Sequence, residues 1–145
     1  MYKLLILTAL SLNISHAETT GNLLSQDFTN GWTGTNQSSR HGTSTIAGVD
    51  GGNVESTVSL SDTLNASQIN GGWTSTLGAD IWSWNNNDQV TTMSQIITGA
   101  DGTVTTQVRN ISTTSSDNYT SYTDSYTQGI NSQSDYDITV RFSFD

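Results

Sequence analysis

From residue 136 to residue 144 the chain reads YDITVRFSF, and every second side chain is apolar. Tyr136, Ile138, Val140, Phe142 and Phe144 fall on one side. Asp137, Thr139, Arg141 and Ser143 fall on the other. Successive side chains of an extended strand point to opposite faces, so this period of two predicts a strand with one buried face. A half-dry strand is stable only if a second layer covers it. The remaining segments must therefore supply further strands and a facing sheet.

They do. Segments 89–98 and 103–112 are rich in β-branched residues and flank Gly99-Ala100-Asp101-Gly102. Asp-Gly tolerates the positive φ of tight turns, so a hairpin is expected there. Segment 53–60 follows the Gly-rich turn Val49-Asp50-Gly51-Gly52, and 73–85, 119–128 and the shorter 43–47 are also strand-like. Only 62–69 suggests helix, with Ser61 or Asp62 as its cap and Asn70-Gly71-Gly72 as its end. Seven or eight strands punctuated by turns imply an all-β sandwich.

The N-terminus reads differently. Lys3 precedes an apolar run from Leu4 to Leu12, and Ser15-His16-Ala17 offers a small-x-small cleavage pattern. The run is well short of the ~20 residues a membrane-spanning helix needs. Residues 1–17 are expected to be a secretory signal peptide, leaving 18–145 as one domain. The chain is then secreted, extracellular or periplasmic, with no membrane insertion. With Lys3 in the leader, three arginines face thirteen acidic residues, a formal charge of −10. A phosphate-binding surface needs clustered cations, so nucleic acid is a poor partner. There is no cysteine, which excludes disulfides and thiol chemistry.

The stretch GADIWSWNN, 78–86, carries the sharpest question. Taken as one strand from Trp73 to Asn85, parity puts Leu77, Ala79, Ile81 and Ser83 on one side. Thr74, Thr76, Gly78, Asp80, Trp82 and Trp84 lie on the other. Burying an unpaired carboxylate costs several kcal/mol, so the side of Asp80 is expected to meet water. Trp82 and Trp84 would then form an exposed aromatic pair beside Asp80. Aromatic faces stack on sugar rings while carboxylate, amide and guanidinium groups bond their hydroxyls. The alternatives are burial of the indoles, through a bulge at Gly78 that resets parity, or cover by a second subunit. Tyr122 and Tyr126 share a face of 119–128 with Asp124 and extend a binding surface or brace the sheet. Arg141, on the polar side of the last strand, can meet Asp80, a ligand hydroxyl or another surface group.

Catalytic signals are weak. His41 carries no nucleophile-elbow pattern. Glu18 and Glu55 are the only glutamates and mark no carboxylate pair for glycoside hydrolysis. The chain is therefore expected not to be an enzyme. Asp50, Asn53 and Glu55 surround a Gly-rich turn and could offer oxygen ligands to a structural calcium ion, although such turns are usually only turns.

Asn22-Leu23-Leu24, then Phe28, then Gly31-Trp32, resembles the N-terminal signature of jelly-roll carbohydrate-binding modules. Thr29 stands where that family carries a glutamate. The resemblance implies a jelly-roll-like β-sandwich of about seven or eight antiparallel strands, often with structural calcium, that binds glycans. Segments 71–85 and 134–144 also look like small uncharacterised marine bacteriophage proteins, which implies a virion-associated or host-envelope role. The expected function is non-catalytic binding of a glycan or cell-surface polymer through Trp82, Trp84, Asp80, Tyr122, Tyr126 and Arg141. The rival is a structural or assembly protein, a homo-oligomer whose outer aromatics meet a neighbouring copy.

Overall fold

A computed structural model describes residues 5–16, 18–19, 23–24, 32–34, 46–47, 52–83, 89–113 and 120–144 of the 145. The strands in chain order are β1 (Leu5–His16), β2 (Glu18–Thr19), β3 (Thr33–Gly34), β4 (Ile46–Ala47), β5 (Asn53–Ser59), β6 (Trp73–Ser83), β7 (Gln89–Gly99), β8 (Val104–Thr113), β9 (Thr120–Gln128) and β10 (Tyr136–Phe144). They form two antiparallel sheets. One runs β2-β1-β6-β9, with β4 also paired to β1; the other runs β3-β5-β10-β7-β8. The molecule is an all-β sandwich.

The alternating C-terminal segment becomes β10, hydrogen-bonded on both sides, to β5 and β7. Ile138, Val140 and Phe142 are completely buried, while Asp137 is exposed and Arg141 half-buried. Their dry face meets Leu77, Ala79 and Ile81 of β6 and Leu12 and Ile14 of β1 in one core. Burying a large aliphatic or aromatic side chain is worth about 1.5–3 kcal/mol. The buried Trp32 ring lies 6.3 Å from that of Phe142, tilted by 35°.

The parity of β6 holds from Trp73 to Ile81, with odd positions buried and even positions partly open. The register shift expected as a risk at Gly78 falls on the neighbouring strand instead. Thr8 pairs with Asp80 and Ser11 with Gly78, so the extra residue belongs to β1. Gly78 lets that bulge approach: a Cβ there would sit 2.7 Å from Ser11 Oγ.

Leu5–His16 are the residues that read as a leader in the sequence. In the fold they form β1, placed between β2 and β6, and Leu12 and Ile14 have no exposed surface.

The expected helix over 62–69 is two pieces, a 3-10 turn (Leu60–Asp62) and α1 (Ala66–Asn70). The cap is Asn65 rather than Ser61 or Asp62. Asn65 Oδ1 accepts from Gln68 N at 3.1 Å, and Gln68 Oε1 accepts from Asn65 N at 2.9 Å. This reciprocal pair satisfies two donors that a helix start leaves open, so α1 begins only after Asn65.

Candidate functional site

The two sheets do not close equally on all sides. Along β9, Ser121, Thr123, Ser125 and Thr127 are exposed, while Tyr122, Asp124, Tyr126 and Gln128 are half-buried. The second set pairs with Ala79, Leu77, Ser75 and Trp73, all buried, and so shares the inner face of its sheet. Along β8, the residues in register with the inward Ile97, Gln95 and Met93 are Thr105, Gln107 and Arg109. Both strands are sheet edges in the described topology. Where β8 and β9 face each other, tyrosine, amide and hydroxyl groups stand in place of aliphatics. The dry core ends there and a polar flank begins.

One end of this flank is latched. Arg109 Nη1 donates to Thr123 O, and its guanidinium lies 5.7 Å from the centre of the Tyr122 ring. In the middle, fully buried Gln95 accepts from Ser75 Oγ at 2.6 Å and donates to Asp124 O at 3.3 Å. A single β7 side chain thus ties the facing sheet in place at β6 and β9.

The other end opens into a cleft of about 290 Å³, walled by Ile97, Thr103, Thr105, Tyr126, Gln128, Asn131, Ser132, Gln133 and Tyr136. Its aromatic wall is braced from behind. The Trp73 ring packs on Tyr126 at 5.7 Å and edge-on to Tyr136 at 5.2 Å. Tilted and edge-on pairs are favourable beyond their buried area. Two buried polar atoms nearby, Trp73 Nε1 and Asp124 Oδ2, have no hydrogen-bond partner among the described residues. Beside the cleft wall, Ile130 is 89% exposed.

Asp101 stands beside the cleft, hydrogen-bonded to Thr103 and Gln133 of its wall. Its carboxyl is held below the ordinary 3.8, chiefly by the hydrogen bond from the Thr103 backbone, so it stays ionised. Burial pushes the Tyr136 phenol up, helped by Tyr126 and Asp101, so it keeps its proton at neutral pH. No lining residue is charged.

The expected contact residues are divided among three places. Tyr122 and Tyr126 lie on the inner face at the flank, and Tyr126 lines the cleft. Asp80 is at an outward position of β6 and accepts from Ser121 Oγ at 2.5 Å. Arg141 is on the outside of the opposite sheet, where both its Nε and Nη2 lie 2.8 Å from Glu55 Oε2. Arg141 and Asp80 are therefore not partners. Trp82 belongs to β6, opposite Ile6. The Trp82 side chain and the whole of Trp84 fall outside the described residues.

Two of the three expected calcium ligands lie among the described residues. Glu55 is engaged by Arg141, Asn53 is an exposed position of β5, and Asp50 lies outside the described residues. Among the described residues no three His, Asp or Glu side chains gather as metal ligands.

Sequence reasoning missed Thr103, Thr105, Gln128, Gln133 and Tyr136 as site residues. A signal existed: the inward residues Tyr122, Asp124, Tyr126 and Gln128 of β9 and Thr105, Gln107 and Arg109 of β8 include no aliphatic side chain. Comparison with protein-family models, curated proteins and solved structures finds no match.

Proposed function

We propose that this chain is a non-catalytic binding domain that holds a glycan or similar hydroxyl-rich surface polymer in the β8–β9 cleft. The observation that supports it is the braced tyrosine wall, Tyr126 and Tyr136 against Trp73, facing amide and hydroxyl groups across an open 290 Å³ cleft. A concave site with aromatic walls and a few convergent polar groups is the usual form of a small-ligand pocket. The excess of acidic residues argues against nucleic acid as the partner.

The test is a saccharide titration followed by tryptophan fluorescence, since Trp73 backs the wall. A response that disappears in Tyr126→Ala and survives in Trp82→Ala supports the cleft. The reverse pattern would move the site to the outer face of β6. Silence across neutral and acidic saccharides removes the binding reading.

A second reading is favoured by one observation. Edge strand β8 leaves Val104 58% and Val108 53% exposed, two residues of one face. Long, weakly charged edges are templates for pairing with another chain. On this reading the chain is an assembly subunit that joins a second copy through β8. A strict monomer by light scattering at high concentration rules it out.

A further inference from the structure

The cleft's hydrogen-bonding groups can be followed one by one. Tyr126 Oη donates to Gln128 Oε1 at 2.8 Å, which leaves the Gln128 amide as a donor. Gln133 is turned to Asp101: its Oε1 accepts from Asp101 N at 3.1 Å and its side chain also hydrogen-bonds the Asp101 carboxyl, so it holds the wall in place. Asn131 is occupied by its loop and by α1: Nδ2 donates to Gly129 O and to Ile69 O, and Oδ1 accepts from Gln133 N. It shapes the wall and has little left for a ligand. Thr103, Thr105, Ser132 and Tyr136 add hydroxyls, which both donate and accept. A ligand's hydroxyl and ring oxygens therefore meet neutral donors and adaptable hydroxyls along one side and fixed aromatic rings along the other.

Charge is selected against. Asp101 is hydrogen-bonded to two residues of the wall, its Oδ1 accepting from Thr103 N at 2.9 Å and its N donating to Gln133. Asp124 is the next inward residue along β9 from Tyr126. The flank's cation, Arg109, is four residues from Thr105 on β8, about 13 Å at strand rise, and its guanidinium is held at Thr123 and Tyr122. An anionic ligand group would lose its water there without gaining a counter-charge.

We propose that the cleft takes the uncharged end of a short saccharide, one or two rings long, and discriminates against sugars bearing carboxylate or sulfate. Its volume, at the bottom of the range of about 300–1,000 Å³ for ligand pockets, sets the length. Asp101 sets the charge rule, Tyr126, Tyr136 and Gln128 make the contacts, and Gln133 holds Asp101 at the rim. This inference rests on the binding reading above.

The experiment is calorimetry on the full chain with matched pairs of soluble mono-, di- and trisaccharides, one member neutral and the other uronate or sulfated. Neutral members should bind. Anionic members should bind about threefold more weakly or worse, the scale of one like charge at short range in water. Affinity should stop rising beyond the disaccharide. Asp101→Asn keeps an oxygen acceptor for Thr103 N and should narrow the gap between pair members. Gln128→Ala should weaken binding of the neutral members, with an unchanged melting temperature as the check on folding. Equal or tighter binding of anionic members overturns the charge rule but leaves the binding reading standing. Affinity that keeps rising through the trisaccharide overturns the length. Binding to no saccharide of either kind overturns both the inference and the reading beneath it.

Discussion

Ser75 Oγ donates to Gln95 Oε1 at 2.6 Å across the space between the sheets, and neither residue has any exposed surface. Gln95 is thus a polar post inside a mostly apolar core. Removing one partner should cost more than removing both. Ser75→Ala strands a buried amide oxygen and should cost about 1–3 kcal/mol. The double variant Ser75→Ala/Gln95→Met should cost less than the sum of the two single changes. Denaturant unfolding of the four proteins measures the coupling directly.

Asp135 should make stability fall in acid. Partial burial raises its pKa, but hydrogen bonds from Ser59 Oγ, Ser61 Oγ, Ser61 N and Tyr136 N together outweigh that and hold it below the ordinary 3.8. A depressed carboxyl stabilises the fold fully above its unfolded pKa and loses that contribution as pH falls through its folded pKa. The melting temperature should therefore drop below pH ~4. Asp135→Asn should lower stability at pH 7 and flatten the acid slope. An unchanged slope in that variant would place the acid sensitivity elsewhere.

Glu55 and Arg141 form an ion pair whose side chains remain 33% and 41% exposed. Exposed pairs are screened and cost side-chain entropy, so Arg141→Ala should change stability by about 1 kcal/mol or less. The effect should shrink further in high salt. Melting curves at low and high ionic strength decide the matter.

Strand β1 should be indispensable to the sandwich as described. Ile14→Ala should cost about 2–5 kcal/mol by opening a core cavity. A chain beginning at Glu18 should melt lower or fail to fold, because β6 loses the neighbour it pairs with from Leu5 to Ser15. Equal melting of the two lengths would show that β1 adds nothing. Intact mass of the protein made by its own cell then reports which length exists.

Much of the fold was legible because period two is a strong signal. β10 matches its predicted span, and the Asp-Gly turn joins β7 to β8, with Gly102 at φ +83°. The burial of Leu77, Ala79 and Ile81 follows the predicted parity of β6. Residues 5–16 read as part of a leader, because a short apolar run after Lys3 and before Ser15-His16-Ala17 has that pattern. In the fold they form β1, where buried Leu12 and Ile14 alternate with Ser11 and Asn13. The cleft was not legible. Tyr126 comes from one sheet, Tyr136 and Thr105 from the other, and Gln133 from the loop before β10. No local pattern announces that two edge strands will face each other across a gap.

The position of β10 also dictates the order of events when the chain is made. It lies between β5 and β7, and the contact from Thr57 to Thr139 closes a span of 82 residues. Until that last strand emerges from the ribosome, β5 and β7 have no common neighbour and half the sandwich cannot assemble. Such long-range closure is slow. The nascent chain must meanwhile stay soluble with its future interior uncovered, a task for which abundant hydroxyls and a strongly acidic surface are well suited.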